Sequence, residues 1–146
     1  GITALFAPAS VDDESRRDAE IILATCGKTV WIEREELMDV VTAVSGTGPA
    51  YFFLLMEMMQ AAAVELGLDA ATARALCIET AQGAGRLAAA SEFDPAQLRL
   101  QVTSKGGTTA AAMEVLEGAG VRDIFARAVA AASRRSCELA REYGVA

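Results

Sequence analysis

The sequence predicts a mainly α-helical fold that is preceded by a short strand–helix–strand unit. Two apolar stretches with strand character, residues 2–7 and 28–33, flank a segment whose apolar residues recur at helical spacing. From residue 35 onward the pattern is helical throughout. Alanine, the residue with the highest helix propensity, supplies much of the 53% apolar content. A strand–helix–strand unit normally belongs to a larger parallel sheet that helices cover on both faces.

The first helix is predicted from the residues at its two ends. Ser10 is the expected N-cap, and Asp12, Asp13 and Glu14 lie in the first turn, where the helix dipole favours negative charge. Gly27 is expected to end this helix before the second strand begins.

A short helix and a long helix follow the second strand. The short helix is predicted over residues 35–40, and a turn is predicted at residues 45–48. Pro49 then occupies a first helical position, where its missing amide is not needed. The long helix, residues 50–65, is apolar nearly all round, so we expect it to be buried on all sides.

Four more helices are predicted in the second half of the chain. Asp69 is the expected N-cap of the first of them, and Asp94 with Pro95 opens the second. The last helix is amphipathic, with charged residues on one face and apolar residues on the other, and packing explains its apolar face without a ligand. The predicted ranges are 70–90, 95–102, 108–117 and 121–142.

Composition indicates an oligomer that does not bind nucleic acid. The length of 146 residues suits one domain, and a mean hydropathy of +0.29 is high for a protein with 5% aromatic residues. Alanine-rich helices with little polar surface pack on other helices, so we expect an obligate oligomer. A net charge of −7 argues against nucleic acid and anionic membranes as partners. The longest uncharged run, residues 40–56, is expected to be too short and too broken to span a membrane.

Cysteine and histidine usage excludes several kinds of site. Cys26, Cys77 and Cys137 are odd in number and far apart, without a C-x-x-C motif, so neither a disulfide framework nor a metal site is expected. Reduced cysteines of this kind are typical of a cytoplasmic protein. The chain has no histidine, so any proton transfer must use a hydroxyl, a carboxylate, a lysine or water.

Residues 102–109 are the most informative stretch of the chain. Gly106 and Gly107 lie between hydroxyl residues and immediately precede a helix-forming run. Free amides at the start of that helix, together with the hydroxyls of Ser104, Thr108 and Thr109, predict a site for a carboxylate or a phosphate. The alternative is an ordinary helix start with a threonine as N-cap. Local chemistry leaves both interpretations open.

Two other glycine patterns do not predict a nucleotide site. The segment at residues 46–48 lacks the third glycine of a dinucleotide fingerprint and follows no clear strand. Gly83 and Gly85 fall inside a predicted helix, where small residues favour close helix packing.

Several segments resemble pyrroline-5-carboxylate reductase in order and spacing, and the resemblance covers nearly the whole chain. It implies that residues 1–34 are the C-terminal remnant of a Rossmann-type dinucleotide-binding domain and that residues 35–146 form an all-helical dimerisation and substrate-binding bundle. It also implies a fragment that is inactive by itself, and a homodimer that can assemble further into a decamer. The segments are residues 45–51, 67–68, 82–84, 98–99, 102–104, 106–109, 116–117 and 135–139.

The resemblance implies a reaction and a set of site residues. NADPH or NADH, held mainly by the absent N-terminal domain, would reduce 1-pyrroline-5-carboxylate to L-proline, the final step of proline synthesis. Thr109 matches the hydroxyl proposed to donate or relay the proton to the imine nitrogen, and we expect it mainly to orient and stabilise that nitrogen. The implied substrate-binding residues are Ser104, Gly106, Gly107, Thr108, Thr109 and Glu35, and the implied cofactor-binding residues are Thr47, Gly48 and Gln101.

Lys105 departs from the family pattern, which usually has proline at this place. Its charge either strengthens anion binding or points to solvent, and we favour solvent.

Two alternative functions also stay open. One is a non-catalytic helical oligomerisation module, and the other is a reductase of a different imine or of a β-hydroxy acid.

Overall fold

The computed structural model describes residues 1–144 and confirms a mainly α-helical fold preceded by a strand–helix–strand unit. By packing, the chain divides into two compact units, one formed by Gly1–Gly48 with the stretch that begins at Ala126, and the other by Pro49–Phe125. The predicted domain boundary between residues 34 and 35 stays a prediction. The elements are β1 (Ile2–Leu5), α1 (Asp13–Ala24), β2 (Lys28–Trp31), α2 (Leu37–Val41), a π-helical segment (Thr42–Gly46), α3 (Gly48–Glu65), α4 (Ala70–Ala90), α5 (Pro95–Gln101), α6 (Thr108–Gly118) and α7 (Val121–Glu142).

The two strands form a parallel pair, as expected for a strand–helix–strand unit. Ile2 pairs with Lys28 and Leu5 with Trp31, and the Ile32 amide extends the ladder by donating to the Leu5 carbonyl at 2.9 Å. Gly27 turns the chain from α1 into β2 with φ +150°, a backbone conformation that side-chain-bearing residues rarely adopt.

Aspartate side chains cap three of the helices. The prediction that Ser10 caps α1 is wrong, because the N-cap is Asp12, whose carboxylate accepts the Ser15 amide at 2.8 Å. Hydrogen bonding from Ser15 holds the pKa of Asp12 below its usual value. Asp69 caps α4, as predicted, and Asp94 and Gln97 form a capping box at the start of α5.

The backbone stays helical across the predicted turn at residues 45–48. A π-helical segment ends at Gly46, Thr47 has right-handed helical dihedral angles, and α3 begins at Gly48. The Thr47 amide donates to the Thr42 carbonyl, five residues earlier, at 2.8 Å. We attribute this widening to Pro49, which has no amide hydrogen and whose ring clashes with the carbonyl four residues before it. Pro49 is the second residue of α3, close to the first helical position predicted for it, but a π-helical segment and not a turn precedes α3.

The continuous helical run Leu37–Glu65 bears on the prediction that the chain has no segment able to span a membrane. It has 29 residues and is the one helix in the described part of the chain that could cross a membrane by length and composition. The expectation that this region is too broken to do so is therefore wrong. The core helix of a soluble protein meets the same criteria, so the absence of a membrane partner stays a prediction.

Very little apolar surface is buried within the chain. Among the described residues, the buried apolar side chains are Leu5, Ala43, Ala73 and Cys77. Phe52 and Phe53 of α3 are 63% and 66% exposed, so the expectation that this helix is buried on all sides is not met inside one chain. Gly83 and Gly85 of α4 also have open space where a Cβ would lie.

The accessible surface area of the chain is larger than that of a compact monomer of the same size. Its accessible surface is 11028 Å². A compact monomer of this size exposes about 7,100 Å². The excess is about 3,900 Å² for one chain, several times the roughly 800 Å² that each partner contributes to an interface of standard size. The helices therefore require a further protein surface to bury their apolar side chains.

The exposed apolar surface predicts that Phe53→Asp weakens self-association. A carboxylate at this position would have to lose its hydration when another chain covers α3, so we expect at least a tenfold rise in the dissociation constant. Sedimentation velocity over a concentration series measures this shift. Arg17→Gln, on the exposed side of α1, is the matched control and should leave association unchanged. An unchanged dissociation constant for Phe53→Asp would place the interface elsewhere.

Candidate functional site

Residues 104–107 form a tight turn between α5 and α6. The Gly107 amide donates to the Ser104 carbonyl at 3.1 Å, which closes the turn across four residues. Gly106 has φ +72°, whereas Lys105 does not have a positive φ. This combination is that of a type II turn, with Lys105 at the second position and glycine at the third, where positive φ is required.

The end of α5 holds the start of this turn in place. The Thr103 hydroxyl donates to the Arg99 carbonyl at 2.6 Å, and the Thr103 amide donates to the Leu100 carbonyl at 3.0 Å. Two carbonyls that the helix leaves without a partner are thereby satisfied. These two hydrogen bonds consequently fix the backbone at the point where the loop leaves α5.

Helix α6 begins without a side-chain cap. Its N-cap is Gly107, with φ −84° and ψ 174°, and the first intrahelical bond runs from the Ala111 amide to the Gly107 carbonyl at 3.2 Å. The amides of Thr108, Thr109 and Ala110 therefore have no acceptor within residues 1–144. The alternative of an ordinary helix start with a threonine as N-cap is wrong, because both threonines lie inside the helix.

The structure changes which amides are available for an anion. The amide of Gly107, one of the implied substrate-binding residues, is engaged in the turn and is not free. Ala110, which sequence reasoning missed, contributes the third free amide instead. The signal that would have found it is the assignment of Gly107 as N-cap, since the first free amides follow the N-cap directly.

Gly107 also allows Ser104 to lie against the helix start. A Cβ at Gly107 would overlap the Ser104 Oγ and would come within 3.3 Å of the Ser104 carbonyl oxygen. Ser104 and Thr108 are exposed, and Thr109 is half-buried. The loop thus presents hydroxyl groups and bare amides together at one helix end.

The charges around the loop differ in whether they are paired. Two hydrogen bonds from the Arg122 guanidinium hold the pKa of Glu117 below its usual range, and Arg99 adds a smaller coulombic contribution. Lys105, by contrast, is exposed and forms no ion pair with any residue up to 144. Between Arg99 and Glu114 it is the sole charged residue of the sequence.

The remaining predicted site residues lie outside this loop. Gln101 is the exposed last residue of α5. Glu35, Thr47 and Gly48 belong to the first compact unit, where Glu35 is exposed, Thr47 follows the π-helical segment and Gly48 is buried at the start of α3. Their roles stay predictions.

The strand–helix–strand unit does not fit the pyrophosphate of a dinucleotide. The connection from β1 to α1 contains no glycine, and α1 begins with Asp12 as N-cap and with Asp13 and Glu14 in its first turn. Negative charge at this helix start repels a phosphate. Within the described residues there is also no group of three or more His, Cys, Asp or Glu side chains that could hold a metal ion.

A protein-family model described as pyrroline-5-carboxylate reductase dimerisation matches residues 35–139. The chain belongs to this family. The match begins at the first residue of the predicted helical domain and includes the whole loop between α5 and α6.

Known members of the family resemble the chain over nearly its full length. It is 44% identical over 144 residues to a pyrroline-5-carboxylate reductase of Pseudomonas aeruginosa, an alignment that covers 99% of this chain and 53% of that protein. The structure of a pyrroline-5-carboxylate reductase from Coxiella burnetii matches with a TM-score of 0.90 and 43% identity, covering 94% of this chain and 51% of that one. A Plasmodium falciparum pyrroline carboxylate reductase with NADP bound matches with a TM-score of 0.79 and 30% identity, covering 91% and 55%. The chain thus spans about half the length of the relatives it matches.

The geometry of the turn predicts that Gly106→Ala destabilises the protein. Alanine at φ +72° brings its Cβ toward the following carbonyl, which costs about 1–2 kcal/mol. Urea unfolding of the oligomer at fixed protein concentration measures the change. Gly118→Ala is the matched control, because Gly118 lies in α6 without a positive φ and with open space at its Cβ, so it should be neutral or slightly stabilising. Equal stabilities of the two variants would contradict the assigned turn.

Proposed function

We propose that this chain is the dimerisation and substrate-binding half of a pyrroline-5-carboxylate reductase, which reduces 1-pyrroline-5-carboxylate to L-proline with NADPH or NADH. Family membership and the named activity of the relatives support the reaction. NADP bound to the Plasmodium falciparum relative supports the cofactor class. The chain's own residues support where the substrate binds.

The observation that carries the proposal is the group of three unpaired amides at the start of α6. The amides of Thr108, Thr109 and Ala110 lie at the positive end of the helix dipole, and the hydroxyl of Ser104 lies against the N-cap residue. The carboxylate is the main polar handle of a small, flat imino acid. Binding it here holds the ring in one position and orientation, which supplies much of the catalysis in such a reaction.

Thr109 is the proposed catalytic residue. It is half-buried and lies at the second position of α6, and its own amide is one of the three proposed to bind the carboxylate. A threonine hydroxyl is a weak acid, and the chain has no histidine to replace it. We therefore assign it to orienting and stabilising the imine nitrogen, with a water molecule as the proton source.

The nicotinamide cofactor, when bound, supplies the hydride for this reduction. The strand–helix–strand unit does not fit its pyrophosphate, so we propose that most of the cofactor-binding surface lies outside the described residues. We propose that Thr47, Gly48 and Gln101 contact the cofactor and that Glu35 contributes to the substrate site. These assignments rest on the resemblance of their segments to the family.

A homodimer is the proposed assembly, and further assembly into a decamer is an extension of the same proposal. The exposed apolar surface of α3 and the dimerisation description of the family support self-association. Covering this surface with a second chain also explains the apolar run Leu37–Glu65 without a membrane. We further propose a cytoplasmic location and no nucleic-acid partner, in agreement with a net charge of −7.

A chimeric enzyme tests the proposed function directly. The half of the Pseudomonas aeruginosa reductase that this chain does not cover would be joined to the chain, and NADPH and NADH oxidation would be followed with 1-pyrroline-5-carboxylate. Turnover that depends on this substrate is the expected result. A folded dimer without turnover would favour the non-catalytic oligomerisation module. A preference for another cyclic imine or a β-hydroxy acid in the same assay would favour a different reductase.

The role of Thr109 predicts that Thr109→Ala lowers kcat of this chimera by about 100-fold, because one hydrogen-bonding group at the reacting nitrogen is lost. Thr109→Ser keeps the hydroxyl and should retain most of the rate. Steady-state kinetics measures kcat, and sedimentation confirms that both variants stay dimeric. An unchanged kcat in Thr109→Ala would remove Thr109 from the mechanism.

A further inference from the structure

Lys105 has no ion-pair partner within residues 1–144 and directly precedes, in the sequence, the residues of the proposed carboxylate site. It occupies the second position of the turn formed by residues 104–107. The three free amides, those of residues 108–110, follow this turn directly. No acidic side chain lies within eight residues of it in either direction along the loop and the first turns of α6. Glu117, farther along α6, is paired with Arg122.

The exposure of Lys105 agrees with the interpretation that its side chain is solvated. A solvated ammonium still attracts an approaching anion, because the attraction extends over about one Debye length, roughly 8 Å at physiological ionic strength. The rest of the protein repels an anion, since the chain has a net charge of −7. A positive charge on the loop therefore has a larger relative effect on the attraction of an anionic substrate here than it would have on a neutral protein.

We infer that Lys105 is an affinity-determining residue for the anionic substrate, acting from the turn in front of α6 through its charge and not through a fixed contact. This inference rests on the proposed function, because it takes the carboxylate position from it. The charge acts equally on the bound substrate and on the transition state, so it changes KM and leaves kcat unchanged.

The turn itself provides a way to separate charge from conformation. Proline is favoured at the second position of a type II turn, so Lys105→Pro removes the charge and keeps the backbone geometry. Lys105→Gln removes the charge with a flexible side chain, and Lys105→Arg keeps the charge. Lys28, at the start of β2, is the other lysine of the chain, and Lys28→Gln changes the net charge by the same amount away from the loop.

The test measures KM for 1-pyrroline-5-carboxylate and the dissociation constant of L-proline, by titration calorimetry, in the chimeric reductase at about 20 mM and about 500 mM salt. At low salt we expect Lys105→Gln and Lys105→Pro to raise both constants about threefold, which corresponds to about 0.65 kcal/mol. Lys105→Arg and Lys28→Gln should match the wild type. At high salt all five proteins should converge, because screening removes the attraction.

The outcomes distinguish the inference from the function on which it rests. A wild-type chimera that neither turns over 1-pyrroline-5-carboxylate nor binds proline contradicts the proposed function and removes the basis of the inference with it. An active wild type whose KM is unchanged by Lys105→Gln at low salt overturns the inference alone. A threefold effect that persists at high salt, or that Lys28→Gln reproduces, overturns it as well.

Discussion

Burial of apolar surface is the constraint on which the rest of this structure depends. The described helices bury little more than Ala43, Ala73, Cys77 and Gly48, while phenylalanines of α3 stay largely exposed. Hydrophobic burial is the dominant favourable contribution to folding, so helices of this composition are stable only when another surface covers them. Membership of a dimerisation family is in agreement with this requirement. The accessible surface of 11028 Å² therefore describes a chain whose hydrophobic core is completed by further protein.

The loop between α5 and α6 depends on a smaller set of interactions, which are local. The hydrogen bonds of Thr103 to Arg99 and Leu100 hold the end of α5, and the Ser104–Gly107 bond closes the turn. Because Gly107 occupies the N-cap and has no side chain, nothing in the loop itself satisfies the first amides of α6. The proposed carboxylate site thus rests on the amides that the local sequence leaves unpaired, and it does not require a large cavity.

Sequence reasoning was accurate where one residue decides a local structure, and less accurate where neighbours compete. Asp69 and the start of α7 were placed correctly because capping and periodicity are local signals. The cap of α1 was assigned to Ser10, although Asp12 is equally good chemically and lies directly before the helix. The helix near Pro49 was expected to break, yet widening to a π-helix accommodates the missing hydrogen bond. Local propensity shows that a hydrogen bond is lost at such a residue but not how the backbone adapts.

The sequence by itself determined the fold class, most helix boundaries and the family, because helix periodicity, aspartate caps and the Gly-Gly-Thr-Thr block are properties of short segments. Only the tertiary structure decided which amides of the loop are free, because the closing of the turn consumes the Gly107 amide and leaves that of Ala110. It alone also revealed that large apolar side chains of α3, such as Phe52 and Phe53, stay exposed within one chain. Burial depends on what packs against a helix, and that information is spread over residues far apart in the sequence and over other polypeptides.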